Sequence, residues 1–264
     1  MTDTEAELVR LERRGTIAIV TIDRPDRMNA LSRATVTRLG AIGRELRGEA
    51  NVRACVLTGA GDKAFCAGAD LKERQGMSRE QVREVLSLYQ SELDWLSSSD
   101  FPTVAAINGV AVGGGLELAL ACDLRSMTEH ATLGLPETGL AIIPGAGGTQ
   151  RLPRLIGPAR ALDLVLTARR VSAQEALILG LINRLVPEEE SVLEATLKWL
   201  IPLADGAPIA QRAALHAVRA AARLPLDQGL AFEREQYEHC LVSFDREEAL
   251  LAFAEKRKPQ FQGR

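Results

Sequence analysis

The sequence has 264 residues, 46% hydrophobic and 25% charged, which is enough to bury one large core or one core with a small appended unit. A net charge of -3 and a pI near 5.8 exclude a general attraction to nucleic acid or to an anionic membrane, so a polyanionic ligand must be held locally. Cys55, Cys66, Cys122 and Cys240 lack C-x-x-C spacing and read as free thiols of a reducing compartment; the acid-bearing start has no apolar h-region, and no apolar run reaches the roughly 18 residues of a bilayer span, so the expected location is cytoplasmic.

In chain order, alternation over 8–13 and 16–23 around Arg14-Gly15 predicts an opening β-hairpin, and a helix is expected from about Ser32 to Arg47. Ala54–Thr58 reads as a short buried strand. After a glycine-bearing loop, Ser78-Arg-Glu-Gln81 forms a capping box for a helix to about Leu96, followed by a strand at Thr103–Ile107. Helices then alternate with strands: helix Gly114–Ala121, strands Leu124–Met127 and Thr132–Leu135, helices Gly148–Leu155 and Ala159–Leu166, a second capping box at Ser172–Glu175, and a last strand at Asn183–Val186. This order implies a layered α/β fold. Beyond Pro187 the pattern is helical, with segments opening at Pro208 and running over Asp227–Leu241 and Asp245–Ala254, so a core over 1–200 and a helical unit over 201–264 are expected.

The chemistry concentrates between Thr103 and Gln150. Gly113, Gly114 and Gly115 open a helix that is apolar on nearly every side; without side chains there, the backbone admits a ligand closely and the first-turn N–H groups can face developing negative charge. Taken alone, three glycines fit a tight turn with close helix packing better than a ligand site. Glu117, in the first turn of that apolar helix, is the discriminating residue, because a buried acid needs a partner, a ligand or a raised pKa. Glu137 sits at the end of another buried element, in Leu135-Pro-Glu-Thr-Gly139. The loop AFCAGADLKE, 64–73, is small enough for its backbone to form the second half of an oxyanion hole. His130, His216 and His239 have no metal-ligand spacing, and G-x-S-x-G and G-x-x-x-x-G-K-[ST] are absent, so no metal and no serine nucleophile are expected.

With FCAGADLKE, AAINGVAVGGGLELALACD, PETGLAIIPGAGGTQRL, LTARRVSAQEALILGLINRLVP and DREEALLAFAEKRKP in order, the chain resembles the enoyl-CoA hydratase/isomerase (crotonase) superfamily over nearly its whole length. The resemblance implies a spiral of ββα units with a C-terminal helical trimerisation region, a hexamer built as a dimer of trimers, an acyl-CoA thioester substrate and no cofactor beyond its CoA. It places the oxyanion hole on the backbone N–H groups of Ala69 and Gly114. Ala67, Ala69, Asp70, Leu71 and Lys72 would line the CoA tunnel, Gly145 would help hold the catalytic water, and Phe253 and Lys256 would reach a neighbour's CoA. Glu117 would activate water and Glu137 would protonate Cα; isomerases of the family commonly keep one of these carboxylates, so both together imply hydration. FCAGADLKER and LLAFAEKR look closer to methylglutaconyl-CoA hydratases, which makes that branched diacyl thioester the alternative substrate. Some such relatives bind RNA, and Arg33, Arg44 and Arg47 fall near one helix face; a stripe without lysines or aromatics implies a solvated face rather than an RNA site.

Overall fold

The computed structural model describes residues 8–264; Met1–Glu7, which carry part of the expectation that no leader is present, lie outside the described residues. The hairpin forms as expected from β1 (Val9–Arg14) and β2 (Ile17–Ile22), paired antiparallel in unbroken register. Helix α1 (Arg33–Arg47) starts where the Ser32 side chain accepts the Thr35 N–H. Next come β3 (Ala54–Gly59), β4 (Ala64–Cys66), the single-turn α2 (Leu71–Arg74) and α3 (Arg79–Leu93). The Ser78–Gln81 capping box is present in both directions, but the helix ends at Leu93, and a separate turn, α4 (Trp95–Ser98), buries Trp95 and Leu96.

The next stretch alternates strand pairs with helices: β5 (Thr103–Ile107), β6 (Val110–Val112), α5 (Gly114–Ala121), β7 (Leu124–Thr128), β8 (Thr132–Gly134), α6 (Gly148–Ile156) and α7 (Pro158–Thr167). It closes with β9 (Arg170–Ser172), α8 (Ala173–Leu179), β10 (Arg184–Val186) and α9 (Val192–Ala204). Each strand pair contributes to two different sheets. One has order β1-β2-β3-β5-β7-β10, parallel except at β1; the other has order β4-β6-β8-β9. Successive β3/β4, β5/β6 and β7/β8 pairs thus climb a spiral of ββα units, as the resemblance implies.

Period-two geometry explains why these strands are apolar on both faces. Cys55, Leu57, Ala105 and Ile107 face the main core with α1 and α5, while Ala54, Val56, Val104 and Ala106 face a second core covered by α9 through Val192 and Leu200. Ser172 caps α8, but the reciprocal half of the expected capping box is missing because the Glu175 carboxylate pairs with Arg169 at 2.8 Å.

After α9, the helices α10 (Pro208–Ala221), α11 (Leu226–Leu241) and α12 (Phe244–Ala254) form an arm. Its anchor is Arg219, whose Nε and Nη2 each donate to Asp123 at 2.7 Å while Nη1 donates to the Ser99 carbonyl at 2.6 Å. α11 buries no residue, and Val218, Leu226, Tyr237, Val242 and Phe253 are exposed in the single chain. Among the described residues, no helix is long and apolar enough to cross a membrane.

Candidate active site

The strand ends of β4 and β6 bring two backbone segments together. In the bridge between Leu31 and Ala69, the Gly68 carbonyl accepts from Leu31 N–H at 2.8 Å and the Asp70 N–H donates to Leu31 O at 3.0 Å. The alternation of the chain leaves the intervening Ala69 N–H pointing the other way, toward α5. A Cβ on Gly114 would stand 3.6 Å from Ala69 N, and one on Gly68 would stand 3.1 Å from Gly114 N, so the two N–H groups lie side by side. Neither is engaged by a backbone carbonyl of the described residues. Gly113 makes this approach possible: its φ of 54° and ψ of -128° belong to the region that only glycine adopts readily. Gly115 is equally constrained, since a Cβ there would lie 1.9 Å from the Cys66 carbonyl oxygen.

Glu117 is buried at 4% exposure, one turn into α5. Its Oε1 accepts the N–H groups of Ala146 and Gly148, both at 2.7 Å. Those donors come from the glycine-rich entry into α6 and from its first residue, and the sequence signal for them is the GAGG run, in which only Gly145 was expected to act. Burial pushes the Glu117 pKa above its ordinary value, opposed by the two N–H donors and by Arg151 and Arg74.

Glu137 is held in the 3-10 turn Pro136–Leu140, which follows β8, and is 9% exposed. It approaches the glycine corner of α5, its Oε1 standing 3.1 Å from where a Gly113 Cβ would be. Its Oε2 is shut from solvent without a hydrogen-bond partner. Burial, reinforced by the charge of Glu117 and weakened by a backbone hydrogen bond and Arg74, pushes its pKa up to about 7. The two carboxylates therefore titrate as a coupled pair. The hydrogen bonds decide where the proton rests: Glu117 has two donors that favour the charged form, whereas Glu137 has an orphaned oxygen that favours the acid.

This raised pKa is a statement about stability that can be measured without substrate. From the ordinary value of 4.5 up to about 7 the unfolded chain releases this proton while the folded chain keeps it, so wild-type stability falls as pH rises through that window. Glu137→Gln cannot ionise. Its stability relative to wild type should rise by on the order of 2 kcal/mol between pH 5 and pH 8, visible as several degrees in thermal melts; an unchanged difference would show that Glu137 titrates normally.

The remaining expected contacts divide by environment. Asp70 faces inward: its Oδ2 pairs with Arg24 at 2.9 Å, Arg24 also donates to the Ala30 carbonyl, and Asp70 Oδ1 caps α2 by accepting Lys72 and Glu73 N–H. Burial works against the Asp70 charge, but these donors outweigh it and hold the pKa below the usual range. Asp70 thus fixes the shape of the loop, while Leu71 and Lys72 are exposed and Ala67 and Ala69 are partly so. Gly145 lines a cleft of about 670 Å³ with Glu117, Ala146, Tyr89 and Arg151. This cleft meets the site at Glu117; Glu137, Ala69, Gly114, Phe253 and Lys256 are not in its wall. Phe253, 86% exposed, and Lys256 sit on the arm. Arg33 and Arg44 face Glu84 and Glu92 at 3.8 and 2.7 Å, which neutralises two-thirds of the basic stripe considered for RNA. No cluster of three or more potential metal ligands occurs among the described residues.

Known proteins resemble the chain over nearly its whole length. The family model described as enoyl-CoA hydratase/isomerase matches residues 12–264. A putative enoyl-CoA hydratase/isomerase, YngF, of Bacillus subtilis is 48% identical over 253 residues, covering 94% of this chain and 95% of the relative. A mitochondrial methylglutaconyl-CoA hydratase of Mus musculus is 41% identical, covering 96% and 81%. The crystal structure of an enoyl-CoA hydratase from Bacillus anthracis superposes with a TM-score of 0.95 at 45% identity, covering 97% of this chain and all of the other.

Proposed function

The chain belongs to the enoyl-CoA hydratase/isomerase family, and we propose that it adds water across the double bond of a 2-enoyl-CoA thioester. The observation that carries this reading is the opposite hydrogen bonding of two buried carboxylates, Glu117 and Glu137, beside two unengaged N–H groups. Ionised Glu117 takes a proton from water as its oxygen bonds to Cβ. The thioester carbonyl becomes enolate-like and is stabilised by the N–H groups of Ala69 and Gly114. Protonated Glu137 then gives its proton to Cα, so both hydrogens of one water equivalent are accounted for and the two acids exchange protonation states.

In the same reading, the loop Ala67–Lys72 and Gly145 line the acyl-CoA site. The core over 1–200 carries the chemistry, and the region 201–264 assembles the chain into a hexamer in which Phe253 and Lys256 reach a neighbour's CoA. The exposed apolar side chains of α10, α11 and α12 support such an assembly. An isomerase of the family commonly needs one carboxylate, so the second one favours hydration. 3-Methylglutaconyl-CoA is the second candidate substrate, supported by the mouse relative.

Loss of the enoyl-thioester absorbance tests the reading with purified protein and crotonyl-CoA, a longer 2-enoyl-CoA and 3-methylglutaconyl-CoA at equal concentration. Turnover of at least one to its 3-hydroxyacyl-CoA is expected. Stable absorbance with all three would reject hydration.

A further inference from the structure

Three consecutive peptide groups lead into α6, and the outer two turn their N–H to Glu117 Oε1, from Ala146 and from Gly148. The middle group, between Ala146 and Gly147, instead gives its carbonyl to Arg151, whose Nη1 donates to the Ala146 oxygen at 2.9 Å. The third group is held from behind as well, because the Gly147 carbonyl accepts the backbone N–H of Arg151 at 2.8 Å. One residue thus fixes two of the three groups that shape the cradle of Glu117. The turn itself needs the left-handed backbone of Gly147, with φ of 106° and ψ of 4°, and successive N–H groups in such a turn make a concavity for an anion. The guanidinium fills the space beside this glycine, since a Cβ there would stand 2.1 Å from Arg151 Nη1.

Charged and titratable groups face Glu117 from several elements. Against the burial that raises its pKa stand the two N–H donors, then Arg151 from α6 and Arg74 from α2. Glu137, in the turn after β8, repels it. From α3 comes Tyr89, in the wall of the same cleft; burial pushes its pKa up to about 12, so it stays neutral, and its hydroxyl donates to the Leu31 carbonyl. Other charges of the cleft are engaged elsewhere or face water. Arg219 pairs with Asp123, Arg125 donates to the Leu181 and Cys122 carbonyls, and Asp94, Arg154 and Arg223 are exposed.

We propose that Arg151 is a positioning residue for the hydration step: it keeps the peptide between Ala146 and Gly147 turned away from Glu117, so that the flanking N–H groups stay aimed at one oxygen and the carboxylate is held ready to accept a proton from water. This rests on the hydratase reading above and adds a residue to its machinery. A cation and two aligned donors all favour the ionised form, so removing Arg151 weakens both supports together. The acidic limb of the rate profile then moves to higher pH, because hydration needs Glu117 ionised.

The test is the ratio of kcat/KM at pH 5 to that at pH 7, for whichever of the three thioesters above the wild type hydrates fastest. Arg151→Met should lower this ratio by about tenfold, the effect of moving the limb by about one pH unit. General damage lowers the rate at both pH values and cancels in the ratio. Arg151→Lys, which keeps the charge, should return the ratio to within threefold of wild type. In a Glu117→Gln background Arg151→Met should leave it unmoved, since the group it tunes can no longer ionise. Arg151 is only partly buried, so other long side chains fit there, and Arg151→Gln carries the same expectation if the methionine variant does not fold. A ratio that moves less than threefold in the folded neutral variant would overturn the inference while leaving hydration intact. Hydration of none of the thioesters by wild type would remove the hydratase reading, and the inference with it.

Discussion

Glu117→Gln and Glu137→Gln are each expected to lower kcat for hydration by about 10²–10⁴, with a much smaller change in KM. The geometry makes these clean substitutions. Glu117 accepts Ala146 and Gly148 N–H on the same oxygen, so a glutamine can place its carbonyl oxygen there and keep both hydrogen bonds while losing the ability to take a proton from water. At position 137 an amide can fill the carboxyl's place against Gly113 without having a transferable acid proton for Cα. The double variant should be scarcely slower than either single one, because the two residues complete one proton circuit and act as a unit. Activity within threefold of wild type in either single variant would dismantle the two-carboxylate mechanism.

A second large effect is expected from removing one backbone donor. Gly114→Pro deletes the N–H that faces the thioester oxygen and should lower kcat by about 10²–10³, the usual effect of losing one oxyanion donor. The position tolerates the ring for three reasons. Gly114 is the first residue of α5, where proline is favoured and no intrahelical bond is lost. The preceding Gly113, with ψ of -128°, lies outside the α region that a following proline disfavours. An added Cβ would meet its nearest neighbour at 3.6 Å, an ordinary contact distance. A folded Gly114→Pro enzyme with wild-type kcat would place the oxyanion elsewhere.

The parts of this arrangement that were readable from sequence share one property: their signal is local. The apolar helix 114–121 containing one acid announced Glu117, and short buried strands alternating with helices announced a layered α/β fold. What escaped was non-local. β4, β6 and β9 span three residues each, too short for a period to register, although with β8 they form the second sheet. The Ala146 and Gly148 donors to Glu117 lie about 30 residues along the chain, and no spacing rule joins them. Asp70 reads as a loop acid because its partner, Arg24, is 46 residues away.

The division of labour between the glutamates is tested most directly by the pH dependence of kcat/KM for hydration, from pH 5 to pH 9, in the wild-type enzyme. The hydration direction needs Glu137 protonated and Glu117 ionised, and the Glu137 pKa is pushed up to about 7. The rate should therefore fall on the alkaline side with an apparent pKa near 7, about tenfold for each further pH unit. A rate that holds level or climbs through pH 9 would show that no carboxylic acid donates the proton to Cα, and would contradict the mechanism.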